Sequence, residues 1–246
     1  MQEKKKFGIS AEQLKVLAMV FMLSDHLWAS VVPGNNWMTY VGRMAFPIFA
    51  FQIAEGYVHT SDVKKYAKRL FFFALVSEIP FNLFYIGSPI FPFHQNVLFT
   101  LLLGLLAICN MDGLRKAKSF KKGLSCTAWL LLILLGSVAG FPDYGLRGVL
   151  TVVAFYVFRN FRFAWMGQLI SMILLNIVTF QGQTIPVSMF GREWDFTTQG
   201  FAVGALLFIW LYRGEKRGKS KALQYGFYAF YPLHMLVLYL VRRYFL

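Results

Sequence analysis

The stretch from Leu14 to Pro33, LKVLAMVFMLSDHLWASVVP, is long and apolar enough to cross a bilayer, yet it carries Lys15, Asp25 and His26. A span of about 20 apolar residues must be helical, because no water is available in hydrocarbon to satisfy backbone groups. An ionisable side chain inside such a span costs at least a few kcal/mol and is rarely kept without a use. At about 100° per residue, Lys15 and His26 fall within about 20° on one helix face and about 16 Å apart along the axis. This sets a cation near one membrane surface and an imidazole near mid-depth on the same side. Asp25 adjoins His26 in sequence but points elsewhere, so it is not automatically the partner of the ring.

The same apolar bias runs through the whole chain. Of 246 residues, 57% are hydrophobic and 15% charged, with 27 Phe and six Trp. The charged share lies well below the roughly 25% of a soluble domain. No soluble core buries so much apolar surface, so the expected fold is an all-α, polytopic integral membrane protein. No polar segment is long enough to fold alone, which implies one transmembrane domain over 1–246. The net charge of +14 would suit nucleic acid, but the basic residues lie in short runs between apolar spans. That is the pattern that orients membrane proteins, so lipid rather than nucleic acid is the partner it implies. Cys109 and Cys126 flank a basic loop and suggest neither a disulfide framework nor a metal site; no metal is expected. The opening MQEKKKFGIS resembles the charged region of a signal peptide. The apolar run after it is longer than a signal core and contains Asp25-His26, so it reads as an uncleaved first span.

Ser10 and Gln13 fit a capping box, which starts span one near Ala11. Further spans are expected at about 38–58, 66–86, 96–110, 124–140, 145–158, 163–180, 201–212 and 223–239. That gives about nine, within a range of eight to ten. Lys4, Lys5, Lys6, Lys64, Lys65, Lys68 and Arg69 lie in the first two alternate polar segments. Arg115, Lys116, Lys118, Lys121 and Lys122, then Arg159 and Arg162, then Arg213, Lys216, Arg217, Lys219 and Lys221 fill the next three. The intervening loops, PGNNW, GSPIFPFHQN, GFPDYGLR and QGQTIPVSMFGREWDFTTQ, hold only Arg147 and Arg192. The N-terminus is therefore cytoplasmic, and Arg242 and Arg243 at the outer end are the one discordant note.

With that orientation, depth follows from about 1.5 Å per residue. Lys15 is shallow and His26 lies at or just beyond the midplane. Arg43 descends from the outer leaflet, and Glu55 reaches the cytoplasmic end. Glu78 and His234 ride ascending helices to a depth near that of His26, while Asn96, Asp143 and Tyr144 enter from outside. Lone charges in lipid are costly, so His26, Arg43, Glu78 and His234 are expected to converge, with Asp143 as an outer neighbour.

This constellation suits acyl transfer from coenzyme A, whose phosphorylated end must stay in the cytoplasm while its slender pantetheine arm threads inward. The Lys15–His26 separation of about 16 Å is roughly the reach of that arm. Lys15, helped by Lys68 and Arg69, supplies point charges for phosphates. An imidazole can deprotonate an attacking hydroxyl or amine, or carry the acyl group itself. Arg43 or protonated His234 can stabilise the oxyanion. The sequence does not choose between these routes. Each residue also has a plain structural role: Lys15 as a snorkelling lysine, Arg43 with Glu78 as an ion pair, Glu55 before Gly56-Tyr57 as a helix-end contact, His59 as surface and His94 as incidental. His26 has no comfortable structural role at mid-membrane depth.

After span one come GRMAFPIFAFQIAEGYVHT at 42–60, YAKRL at 66–70, EIPF at 78–81, NVLFTLLLGLL at 96–106, DYGLRGVL at 143–150 and YAFYPLHMLVLYL at 228–240. Together with Leu14-Lys15 and Asp25-His26, these motifs resemble the TraX family, named for the conjugal-transfer protein that acetylates the N-terminus of F-type pilin. The basic residue, ten intervening residues and histidine of span one also resemble the first helix of the large membrane O-acetylases that modify polysaccharides. The resemblance implies an acetyl-CoA-dependent N- or O-acyltransferase in the bacterial cytoplasmic (inner) membrane, multi-pass. In those O-acetylases the basic residue and the histidine are the essential pair, which carries over to Lys15 and His26.

The expected assignments follow. Catalytic residues are His26, Asp25, Arg43, Glu78 and His234. Lys15, Glu55, Tyr57, Lys68, Arg69 and Tyr231 bind acetyl-CoA, the co-substrate. Asn96, Asp143 and Tyr144 stand on the acceptor side. The acceptor is an amine or hydroxyl of an envelope protein, peptide, lipid or glycan at the outer face, with monomer and oligomer both left open. The alternative is a secondary transporter or proton-coupled channel using the intramembrane charges, for which Pro47 and Pro80 within spans speak. A non-catalytic assembly scaffold is a third reading.

Overall fold

Each apolar run read as a span is helical over most of its described residues. The structure is a computed structural model and describes residues 8–179, 182–189, 191–214 and 221–246. Lys4, Lys5, Lys6, Lys216, Arg217 and Lys219 of the expected cytoplasmic segments lie outside the described residues. In chain order the elements are α1 (Ala11–Ser30), α2 (Trp37–Gly42), α3 (Ala45–His59), α4 (Val63–Ile86), α5 (Val97–Arg115), α6 (Phe120–Ala139) and α7 (Gly145–Phe158). Then come α8 (Ala164–Ile173) with a π-helical turn (Leu174–Val178), β1 (Thr184–Met189) and β2 (Arg192–Thr197). A 3₁₀ segment (Thr198–Gly204) leads into α9 (Ala205–Trp210), and α10 (Lys221–Phe245) follows. Among the described residues, three helices, α4, α5 and α6, are long and apolar enough to cross a membrane, and Gly145–Phe158, Ala164–Val178 and Thr198–Trp210 are shorter apolar helices. The chain divides into two compact units, Met1–Phe49 with Phe158–Lys219 and Ala50–Val157 with Ser220–Leu246.

In the first unit, the expected capping box starts α1. The Ser10 hydroxyl accepts from the Gln13 N–H at 3.2 Å, and the Gln13 side chain accepts from the Ser10 N–H at 2.9 Å. The buried side chains of α1 are Ala11, Leu14, Ala18, Phe21, Met22, His26 and Ser30, a stripe at helical spacing. The expected single helix over 38–58 is instead broken between Gly42 and Ala45. Pro47 is the cause: it has no N–H for the Arg43 carbonyl, and its ring clashes with that carbonyl. The short helix α2 folds back on α1, and Gly42 permits the contact, since a Cβ there would lie 2.4 Å from the Asp25 Cβ.

The segment 184–197, expected as loop, is an antiparallel hairpin. Ile185 faces Phe196 and Val187 faces Trp194 across it, with Gly191 at φ 73° in the turn. The apolar residues alternate at period two, which is the strand signal that a reading for spans passes over.

In the second unit, α4 packs on α5 and α10, and α5 packs on α6. The α5–α7 contact is close because Gly104 lacks a side chain where a Cβ would meet Val152 at 2.7 Å. Phe51 of α3 meets Phe155 of α7 edge-on at 5.6 Å. Helix α6 keeps Trp129, Leu131, Leu132, Leu135 and Val138 exposed, as a lipid-facing helix does. Helix α4 starts on the Asp62 side chain, which accepts from the Lys65 N–H at 2.9 Å, and ends on Gly87 at φ 77°. The discordant Arg242 has a local explanation. Its guanidinium donates to the Phe84 carbonyl in the last turn of α4 at 2.9 Å, satisfying a terminal acceptor where cations are favoured.

Candidate functional site

His26 is 6% exposed and sits on the buried stripe of α1, not on a lipid-facing side. Lys15 is half-buried one residue after Leu14, which is fully buried. Asp25, beside the histidine, turns toward α2. It accepts from the Thr39 hydroxyl at 2.6 Å, while Thr39 in turn accepts from the Arg43 guanidinium at 3.1 Å. Arg43 stands 3.9 Å from the same Asp25 oxygen. The break between α2 and α3 places Arg43 at a helix end, within reach of this carboxylate. Ser24 adds a bond from its hydroxyl to the Met38 carbonyl at 3.1 Å. The histidine-bearing turn of α1 is thus pinned to α2 by two side-chain bonds and an ion pair.

The second unit holds polar groups at both ends. At the end that the charge pattern assigns to the cytoplasm, Tyr57 donates to Asp112 at 2.9 Å and Lys116 donates to the same oxygen at 2.7 Å. Glu55 is 8% exposed, and its carboxylate lies 3.7 Å from the His59 Nδ1, which also bonds the Glu55 carbonyl at 2.8 Å. The Tyr66 ring carries the Arg69 guanidinium at 5.7 Å, and a side chain at Gly56 would strike the Tyr66 hydroxyl. The Arg69 Nε is buried with no hydrogen-bond partner among the described residues. Lys68 is exposed. An anion with oxygen acceptors fits this place, because a buried guanidinium N–H left unbonded is costly.

Toward the outer end, Asn96 is fully buried at the N-cap of α5. Its backbone N–H donates to Glu78 at 2.9 Å, its side-chain amide donates to Glu78 and to the Ala74 carbonyl, and its oxygen accepts from the Leu98 N–H at 3.0 Å. Asp143 lies 3.7 Å from the His94 Nε2. The loops carrying them are joined by Asp143 N–H to Gln95 carbonyl at 2.8 Å and Gln95 N–H to Phe141 carbonyl at 3.0 Å. The Thr100 hydroxyl also donates to the Asp143 carbonyl. Phe141 and Tyr144 hold φ of 52° and 65°. Such values are outliers for bulky residues, each costing on the order of 1–3 kcal/mol. Asp143 holds the His94 imidazole above its ordinary pKa, against the opposing effect of burial. Tyr231 is 6% exposed, with the Asp143 and Glu78 carboxylates and Tyr85 as electrostatic neighbours. His234 is buried and stacked on Phe230, with its Nδ1 2.7 Å from the Phe230 carbonyl. A carbonyl only accepts, so Nδ1 carries the proton and the lone pair of the neutral ring is on Nε2.

Among the expected residues, the structure brings together Asp25 with Arg43 in the first unit. In the second it brings together Glu78 with Asn96, with Tyr231 and Asp143 as neighbours. Tyr57, expected to bind acetyl-CoA, donates to Asp112. Two bonded partners, Thr39 and Asp112, were not singled out from the sequence, and His94, read there as incidental, lies beside Asp143. Thr39 stands one helical turn before Arg43, a spacing that could have flagged it. Asp112 stands one turn before Lys116 in the same way. His94 lies in a proline-flanked loop that carries no periodic signal.

Residues 10–242 match the family model described as TraX protein. Over 247 aligned positions the chain is 27% identical to a protein of Dichelobacter nodosus described as "Probable fimbrial assembly protein FimC, serogroup H1", spanning 95% of this chain and 96% of that one. No solved structure matches the chain.

Proposed function

Because the chain belongs to the TraX family, we propose that it is an integral-membrane acetyltransferase that moves an acetyl group from cytoplasmic acetyl-CoA to an amine or hydroxyl at the outer side of the membrane. The observation that carries this reading is the burial of His26 on the same helical stripe as Leu14 and Ala18, with Lys15 about 16 Å below it. A proton-accepting ring kept out of both lipid and water is suited to general-base work. The protein is read as multi-pass in the bacterial inner membrane, as a single acyltransferase domain.

Lys15 offers a cation for a phosphate at the cytoplasmic end of α1, and, within the second unit, Lys68 and Arg69 offer theirs at that end of α4. The unbonded Arg69 Nε supports that role. In the reaction, the acceptor nitrogen or oxygen attacks the thioester carbonyl carbon while His26 takes its proton. The C–S bond breaks, and the proton passes on to the leaving thiolate. The alternative route acylates His26 first and transfers from it. Arg43, held by Thr39 and Asp25, is the donor that faces developing negative charge, and Asp25 positions it. Asn96, Asp143 and Tyr144 belong to the acceptor side; Glu78, bonded to Asn96, and His234 keep catalytic roles, and Tyr231 that of a contact for acetyl-CoA. The name of the Dichelobacter relative suggests a subunit of a surface appendage as one acceptor class, beside envelope peptides, lipids and glycans. Mass spectrometry of envelope fractions with and without the protein tests the reading: an acetyl mark gained only with the protein supports it, and identical fractions contradict it.

A transporter is the second reading, favoured by the helix break at Arg43, because discontinuous helices build ion and substrate sites. Acetyl-CoA-independent solute uptake in proteoliposomes, lost on Glu78→Gln, would support it over acetyl transfer.

A further inference from the structure

The β1–β2 hairpin sorts its side chains by chemistry. One face carries Ile185, Val187, Arg192, Trp194 and Phe196; the other carries Glu193 and Asp195 with Thr184, Pro186, Ser188 and Thr197. At the base, the apolar face is continued by the protein itself. Phe196 meets Phe201 at 5.6 Å, and Phe201 stacks on Tyr40 at 4.6 Å. Farther out the face is uncovered, and Trp194 is 59% exposed.

The flanking segments limit how far out the hairpin can stand. Ala164–Val178 has 15 residues and reaches about 22 Å at about 1.5 Å per residue. The return leg combines seven 3₁₀ residues with six α residues and reaches about 23 Å. Both fall short of a hydrocarbon core of about 30 Å. If Arg159 and Arg162 mark the cytoplasmic surface, Ala164–Val178 ends within the membrane, short of its outer boundary.

We propose that the hairpin is an interfacial anchor. Its Trp194 face lies in the outer headgroup layer of the membrane, and its Glu193 and Asp195 face points to water. The chemistry is complementary: indole prefers the boundary of apolar and wet regions, the Arg192 guanidinium on the same face meets lipid phosphate, and both carboxylates are turned away from it. The proposal rests on the multi-pass reading but not on acetyl transfer.

The test uses nitroxide labels on Trp194→Cys, Asp195→Cys and, as a control on α6, Leu131→Cys, with Cys109 and Cys126 replaced by Ala. The full chain is reconstituted in phosphatidylethanolamine–phosphatidylglycerol vesicles. Accessibility to oxygen and to a water-soluble nickel chelate is then measured by power saturation. The expected result is an oxygen-to-nickel ratio several-fold higher at 194 than at 195. Equal ratios at 194 and 195, with Leu131 reading as lipid-facing, would overturn the anchor alone. A label at 194 shielded from both reagents would overturn it in favour of a protein partner on that face. A water-exposed label at 131 would overturn the multi-pass reading beneath it.

Discussion

The carboxylate of Asp25 and the guanidinium of Arg43 lie 3.9 Å apart with the Thr39 hydroxyl bonded to both. This pair, adjacent in sequence to His26 on one side and to the helix break on the other, ties the position of the imidazole to that of the proposed oxyanion donor. Thr39→Val removes the hydroxyl that bridges them and leaves a half-buried carboxylate with one bond fewer. The expected loss is about 1–3 kcal/mol, read as a lowered unfolding midpoint in detergent. Thr39→Ser should restore most of it.

Gly104 of α5 faces Val152 of α7, and a Cβ there would sit 2.7 Å from the Val152 Cγ2. Gly104→Val forces α5 and α7 apart and should cost about 1–3 kcal/mol, measured in the same way. Gly136→Val on α6, where a Cβ meets nothing within 4 Å, should cost less than half as much.

Apolarity and charge alternation were sufficient to read the helices, because spans in lipid must satisfy their own backbone. The break at Arg43 was not read, although Pro47 announces it once the carbonyl four residues back is considered. The hairpin went unread because its alternation at period two is short and follows a long helical pattern. Arg242 looked misplaced by charge counting and is explained only by the α4 carbonyl that it meets in the folded chain. For the site, depth along the spans pointed to His26 and His234, and both side chains are buried. The partners of Asp25 and Glu78 depend on which helix ends meet, which spacing within one helix does not encode.

The His94–Asp143 pair should make the outer loops sensitive to pH. The folded imidazole has its pKa raised by Asp143, so its stabilising contribution is fully present below the unfolded value of about 6.5. It is lost as pH rises through the folded value. Hydrogen exchange of the Gln95 and Asp143 amides, corrected for intrinsic rates, should therefore accelerate as pH rises through that raised value. His94→Gln should abolish that dependence.

Arg69 should matter for holding the nucleotide and not for the chemical step. Arg69→Gln is expected to raise KM for acetyl-CoA about tenfold, the worth of one charged hydrogen bond, with kcat nearly unchanged. Steady-state coenzyme A release over a range of acetyl-CoA concentrations checks the split.

The most direct test of the account is coenzyme A release from acetyl-CoA by the reconstituted protein and its His26→Ala variant, with an acceptor-bearing envelope extract present and folding of both verified by unfolding midpoint. The account predicts a fall of about 10²–10⁴-fold in the variant, the contribution of a positioned general base. Release at the original rate from a folded His26→Ala protein would contradict it.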